Sequence, residues 1–219
     1  MIRKAILSDI PAIAAAYDDL LIHEKQNGSN SNWKWGIYPT VAVPESQIPA
    51  GTMYVLEENG EICASMVLNH EQAVEYAGID WNYPGDGATV LVIHTLCISP
   101  RKARRGYGRQ MIQYAKERAA EAGCATIRID TYAHNEPAKN LYLKNGFRIA
   151  GYGSILLQGL IAEEQVYLEY KVSPNESAGT MAGTELKSAC RQKTPQNGSS
   201  GTGQGTPPPG GPADSMAMR

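Results

Sequence analysis

What this sequence lacks narrows its function before any motif is read. No apolar run reaches the roughly 20 residues a membrane span needs. The apolar part of the N-terminus, Ile2 to Leu7 broken by Arg3 and Lys4, is too short for a secretory leader, so a cytoplasmic location is expected. Charge of one sign is not in excess: the formal net charge is −2 and the pI near 6.1. A general nucleic-acid binder would show a basic footprint over the whole domain, so neither nucleic acid nor membrane is an expected partner. Cysteine is scarce, with four in 219 residues. None forms a C-x-x-C pair, so neither a zinc site nor a redox motif is indicated. Cys63, Cys97 and Cys124 sit in apolar contexts and read as reduced core residues. Phenylalanine occurs once, which leaves the aromatic mass to Tyr and Trp. There are no internal repeats and no Walker loop. The third glycine of a dinucleotide-binding G-x-G-x-x-G would fall at Met111.

What is present centres on Leu96 to Gln110. An apolar run, Ala88 to Ile98, feeds into Ser99-Pro100-Arg101-Lys102-Ala103-Arg104-Arg105-Gly106-Tyr107-Gly108-Arg109, and a helical run from Gly108 to Ala122 leaves it. Strand, basic glycine turn and helix together make an anion site. The first helical turn has N–H groups without internal partners, and the macrodipole adds positive charge there. Gly106 and Gly108, without Cβ atoms, would let a phosphate approach the backbone. A basic turn on a solvated surface is the alternative.

Along the rest of the chain, Ile2 to Leu7 reads as a strand. Ser8 or Asp9 could cap a helix that starts near Pro11 and ends near Asn27-Gly28. The loop 29–39 carries Trp33, Trp35 and Tyr38, either as cover for the core edge or as an aromatic ligand wall. A short helix is expected near 43–48. Asn59-Gly60 between two alternating runs is a hairpin signal. The irregular stretch 71–87 carries Glu71, Glu75, Asp80 and Asp86, either simply solvated or with one acid facing a cationic substrate. Ala88 to Ile98, apolar on both faces, reads as a central strand, with His94 as its titratable member besides Cys97. A strand from 125 to 131 sets Arg128 and Asp130 on one face. A helix from about Asn135 to Lys144 and two antiparallel strands, 147–155 and 164–171, follow. From Ser173 onward Gly, Pro, Ser and Thr dominate, and 173–219 reads as a disordered low-complexity tail.

The order β-α-α-β-β-β-α-β-α-β-β, with the glycine turn between the fourth strand and third helix, resembles the GNAT superfamily of acyl-CoA N-acyltransferases. Two stretches carry the likeness: Leu96 to Arg109, and Asn135-Glu136-Pro137-Ala138-Lys139-Asn140-Leu141-Tyr142-Leu143-Lys144-Asn145-Gly146-Phe147, similar to the family's N-x-x-A-x-x-L-Y-x-K-x-G-F. The stretch 127–131, with Trp35 and Tyr38-Pro39 upstream, is similar to a subgroup of small bacterial members of unassigned substrate. One position departs: Ala103 stands where the family usually has Gln or Arg, and Arg101 or Arg104 would cover that charge.

The resemblance implies an α/β (α+β) GNAT fold over 2–172, with a mixed sheet of about seven strands flanked by about four helices. It implies acetyl-CoA as co-substrate, no metal, and a small-molecule or peptide amine as acceptor, with a homodimer allowed. Main chain of Leu96, Cys97 and Ile98 would pair with the pantetheine arm. Amides of Arg104, Arg105, Gly106, Tyr107, Gly108 and Arg109 would hold the pyrophosphate, and Asn135 would bond the cofactor nearby. Tyr142 would act as general acid, since a phenol near pKa 10 is matched to a thiol. His94 and Asp130 are the two candidates for general base. An acyl-CoA-binding regulatory module without efficient catalysis is the alternative function.

Overall fold

The computed structural model describes residues 1–173; from 174 on, the expected tail lies outside the described residues. The strands are β1 Ile2–Lys4, β2 Met53–Glu58, β3 Glu61–Asn69, β4 Val90–Ile98, β5 Thr126–Tyr132, β6 Arg148–Leu157 and β7 Ile161–Lys171. The helices are α1 Ile10–Asn27, α2 Ala42–Gln47, α3 Tyr107–Glu121 and α4 Glu136–Lys144. The strands form one mixed sheet in the order β1-β2-β3-β4-β5-β7-β6, parallel only between β4 and β5. Among the described residues, no helix is long and apolar enough to cross a membrane.

Local chemistry accounts for most boundaries. Asn59 and Gly60 both take positive φ (53° and 79°), as a tight β2–β3 turn requires. Gly123, at φ +70°, follows the last turn of α3. The expected cap of α1 is different. Asp9 occupies the N-cap position without a side-chain bond to the helix. Its carboxylate instead accepts the Ile6 N–H at 2.8 Å and the Arg3 guanidinium at 2.6 and 3.0 Å. A bidentate charge-assisted pair outweighs a neutral cap bond. The Ile6 contact also turns the chain after Lys4, so β1 stops short of Leu7.

Two main cores lie on opposite faces of the sheet. On one, Met66, Leu91, Ile93, Ile127 and Leu168 pack against Met111 and Ile112 of α3. On the other, Ile13 and Tyr17 of α1 cover Met53, Val55, Val67 and Cys97. A third cluster, Tyr76, Val90, Val92 and Tyr167, is closed by Ile79 and Trp81, so the segment 70–87 roofs part of the sheet. Buried charge fastens that roof. Glu169, 0 % exposed, accepts the N–H groups of Asn82 and Tyr83, each at 3.0 Å. Arg128 bonds Gln72 and lies 4.2 Å from the Trp81 ring centroid. Cys63, Cys97 and Cys124 are buried and free, as their apolar contexts implied.

Two irregularities shape the site. β4 and β5 pair only through Val90↔Thr126, Leu91↔Ile127 and Val92↔Arg128. Beyond that the strands are not paired, although β4 runs to Ile98 and β5 to Tyr132. The carboxyl ends of the two parallel strands therefore part into a wedge, the usual place for a ligand in such sheets. The second irregularity is a bulge: the β3–β4 register passes from Ser65↔Cys97 to Val67↔His94, leaving Thr95 and Leu96 without β3 partners. Thr95 sits there at φ +49°, a strained conformation for a β-branched residue.

Candidate active site

The glycine turn lies at the end of β4 and opens α3. Arg104 (φ +64°) and Gly106 (φ +80°) both adopt the left-handed region. In this arrangement the N–H groups of Arg104, Arg105, Gly106, Tyr107, Gly108 and Arg109 make no hydrogen bond among the described residues. Ala103 donates to Pro100, and the next donor is Gln110, to Gly106. A run of unpartnered amides at a helix start fits an anion with several oxygens, such as a pyrophosphate.

The two glycines have different reasons for being glycine. A Cβ at Gly106 would meet nothing within 4 Å, so the constraint is its φ. A Cβ at Gly108 would fall 2.8 Å from Leu141 Cδ2, so that glycine lets α3 approach α4. Both constraints stand beside the expected approach of a phosphate to the backbone. Gly106→Ala is expected to cost about 1–2 kcal/mol, the penalty of an L-residue in the left-handed region, read as a lower urea midpoint at unchanged m.

The basic residues of the turn are partly committed elsewhere. Arg101 pairs with Asp19 at 2.7 Å, Lys102 with Glu61, and Arg105 with Glu58 at 3.6 Å. Arg101 therefore faces α1 rather than covering for Ala103. Arg104 and Arg109 belong to none of the described ion pairs. On β4, Cys97 pairs its main chain with Ser65 and Ile98 with Ala64, while bulged Leu96 has no β3 partner. The Cys97 thiol is buried, and burial pushes its pKa up to about 12, so it is not a nucleophile. Asn135 caps α4: its Oδ1 accepts the Ala138 N–H at 3.2 Å and its Nδ2 donates to Thr131 at 3.3 Å. One Nδ2 hydrogen remains.

Asp130 stands on β5 beyond the last β4–β5 pair, inside the wedge. Tyr76 donates its phenol to Asp130 Oδ1 at 2.5 Å. Burial raises the Asp130 pKa above the ordinary carboxylate value, while the Tyr76 bond works in the opposite direction. The Asp130 charge in turn raises the pKa values of Tyr38, Tyr76, Tyr142 and Tyr167, each already raised by burial. Tyr142, only 4 % exposed, therefore stays protonated across the physiological range, and its hydroxyl has no hydrogen-bond partner among the described residues. Tyr142 is thus within electrostatic reach of Asp130.

His94 is directed elsewhere. Its Nε2 lies 2.9 Å from Asn69 Oδ1, which also accepts the Glu71 N–H at 3.0 Å. That oxygen is already an acceptor, so His94 is the donor in the pair. Burial lowers its pKa, opposed by the nearby Glu71 charge.

Sequence reasoning missed much of the wedge. Tyr38 and Thr95 share a hydroxyl–hydroxyl hydrogen bond that ties the aromatic loop to the β4 bulge. Of the three aromatics of that loop, Trp33 packs on the second core and edge-on against Tyr38 at 5.5 Å, Tyr38 reaches Thr95, and Trp35 is exposed. Of the acids in 71–87, Glu75 is the one whose charge reaches Asp130. On β7, Glu163, Gln165, Tyr167 and Glu169 are all buried on one face. A polar residue at every second position of a strand was the available signal. Among the described residues, no group of His, Cys, Asp and Glu side chains could hold a metal ion.

Comparison with known proteins agrees with this geometry. The model of the acetyltransferase (GNAT) family matches residues 19–147. An uncharacterized N-acetyltransferase, YhfO, of Bacillus subtilis (strain 168) is 26% identical over 87 residues, 38% of this chain and 58% of that protein. The chain thus spans little more than half the length of the curated relatives it matches, 58% and 54% of them. The GNAT-family acetyltransferase of Streptococcus agalactiae 2603 superposes at a TM-score of 0.66 with 20% identity, covering 79% of this chain and 95% of that one. The yncA protein of Salmonella typhimurium, solved with its cofactor acetyl-CoA, gives 0.58 with 16% identity, covering 79% and 94%. At these identities the structural likeness carries the fold alone.

Proposed function

This chain belongs to the acetyltransferase (GNAT) family, and from that premise we propose that it is an acetyl-CoA-dependent N-acetyltransferase. It transfers acetyl to a primary amine by direct attack in a ternary complex, with 2–172 as the catalytic domain and a cytoplasmic location. One observation carries the reading: the unpartnered amides of 104–109 lie at the end of the strand that borders the wedge in which Asp130 stands. The donor set suits a diphosphate, and a family neighbour was solved with acetyl-CoA. Arg104 to Arg109 would hold the diphosphate, the main-chain edge of Leu96 to Ile98 that β5 leaves unpaired would take the pantetheine amides, and Asn135 would add its free Nδ2 hydrogen.

The acceptor arrives as an ammonium and must lose a proton before it can attack. Asp130 accepts that proton, because its burial makes it more basic than an ordinary carboxylate. The nitrogen then forms a bond to the thioester carbon and the C–S bond breaks. Tyr142 gives its proton to the departing thiolate, and the proton still in excess on the new amide nitrogen restores the phenol. Asp130 returns its own proton to water, so one proton is released per turnover. His94 keeps the Asn69–Glu71 corner in place rather than acting as base.

The test is acetyl-CoA turnover against a panel of amines, read by free thiol release, beside calorimetry of coenzyme binding. Thiol release that needs both the protein and an amine is the expected result. Coenzyme binding with no release on any amine would instead leave an acyl-CoA-binding module, and no binding would remove the reading altogether.

A further inference from the structure

We propose that Tyr38 is a positioning residue for coenzyme binding. Its hydroxyl holds the β4 bulge at Thr95, and the bulge sets which main-chain groups of Leu96 to Ile98 face the wedge. This deepens the acetyltransferase reading and rests on it.

The bulge reverses the faces of β4. Before it the strand alternates: Val90 and Val92 cluster with Tyr76 and Tyr167, while Leu91 and Ile93 belong to the core under α3. Unbroken alternation would carry Cys97 to the α3 side with them. Cys97 instead lies in the core under α1, and Leu96 and Ile98 pack against the α3 core. The change comes where Met66 alone stands opposite Thr95 and Leu96, the two-against-one count of a bulge. Main-chain N–H and C=O groups alternate in direction along a strand as side chains do. The bulge therefore also decides which of them face β3 and which face the side that β5 leaves unpaired beyond Val92.

Thr95 takes φ +49° in this bulge. Such a conformation persists in a β-branched residue only where its surroundings over-determine it. Among the described residues no strand pairs with Thr95, which lies outside both registers of β4. The Tyr38 hydroxyl supplies the hold, through its hydrogen bond with the Thr95 hydroxyl. Among the described residues this is the one hydrogen bond between the loop 29–39 and β4. The phenol arrives from a braced loop. Tyr38 exchanges main-chain hydrogen bonds with Lys34 at 3.0 and 3.2 Å and packs edge-on against Trp33. Ser31 gives its N–H and its hydroxyl to buried Glu24 at 3.0 and 2.6 Å, and Asn32 donates to Glu163 at 2.7 Å. The loop is thus tied to α1 and to β7 independently of β4, so Tyr38 imposes a conformation on Thr95 rather than following it.

The experiment measures coenzyme A binding by calorimetry and amide exchange at Thr95 and Leu96. Tyr38→Phe should weaken binding about 3–10-fold, the worth of one hydrogen bond, and quicken exchange. Thr95→Val should do the same, and the two together should be no worse than either alone, as one shared interaction requires. Asparagine enters the left-handed region far more readily than a β-branched residue, so Thr95→Asn added to Tyr38→Phe should restore both readouts. With any amine that supports thiol release, KM for acetyl-CoA should rise with the loss of affinity and KM for the amine should not. Unchanged coenzyme affinity in Tyr38→Phe would overturn the proposal, even with a lower melting temperature, since the bond would then be merely structural. So would additive losses, no recovery with Thr95→Asn, or a rise confined to the amine KM. If Thr95→Val does not fold, Tyr38→Phe and its rescue decide. Absent coenzyme binding by the wild type strikes the acetyltransferase reading beneath, and the exchange rates then decide whether Tyr38 holds the bulge.

Discussion

Asp130→Asn is expected to lower kcat by about 10³-fold, within the range that a positioned general base contributes. The substitution keeps an oxygen for the Tyr76 phenol, which donates at 2.5 Å in the wild type, so the local hydrogen bond survives and only the proton acceptor is lost. The wild type should lose kcat/KM as pH falls through the raised Asp130 pKa, because the protonated carboxyl accepts no further proton. That acid limb should be absent in the variant. Tyr76→Phe is the companion measurement: the Tyr76 bond pulls the Asp130 pKa down, so removing it should move the acid limb to higher pH. Stability runs the other way. A carboxyl whose pKa is raised by folding binds its proton more tightly in the native state, so its contribution is largest at low pH and is lost as pH rises through the folded pKa. At neutral pH Asp130→Asn is therefore expected to melt no lower than the wild type. A variant that lost activity by unfolding would melt lower, which separates the two causes.

The elements that could be read from the sequence are those whose cause is local. Asn59-Gly60 sets its own hairpin, Gly123 ends its own helix, and Val90 to Ile93 are apolar on both faces because both faces are covered. The glycine turn proposed to hold the cofactor was legible as a turn for the same reason: strand end, glycines and helix start are contiguous. The acceptor side was not. Glu163, Gln165 and Tyr38 belong to the wedge only because β7 lies beside β5 and the loop 29–39 folds back on Glu24 and Glu163, contacts that span up to 131 residues. Nor does composition reveal that β4 carries a bulge at Thr95. Apart from His94 its strand neighbours are apolar, and the irregularity shows only in the pairing with β3. Asp9 went the other way. Its residue type suits a cap, but Arg3 competed for the same carboxylate and prevailed. Function therefore concentrates where residues distant in the chain contradict local expectation.

Tyr142→Phe should separate chemistry from folding more sharply still. The phenol is 4 % exposed, packs its ring 5.8 Å from that of Phe147, and has no hydrogen bond among the described residues to lose. Removing a hydroxyl that bonds no described residue leaves no protein partner stranded, so the usual penalty of about 1–3 kcal/mol for an orphaned group does not arise. The ring and its contacts persist in Phe. Thermal stability should be unchanged or slightly higher, and affinity for coenzyme A should stay within about twofold, since the proposed phosphate cradle is main chain at the start of another helix. Turnover is a different matter. The thiolate leaving group would depart without a proton donor, for which a loss in kcat of about 10²–10³-fold is expected. An unchanged kcat in Tyr142→Phe would show that the leaving sulfur obtains its proton elsewhere.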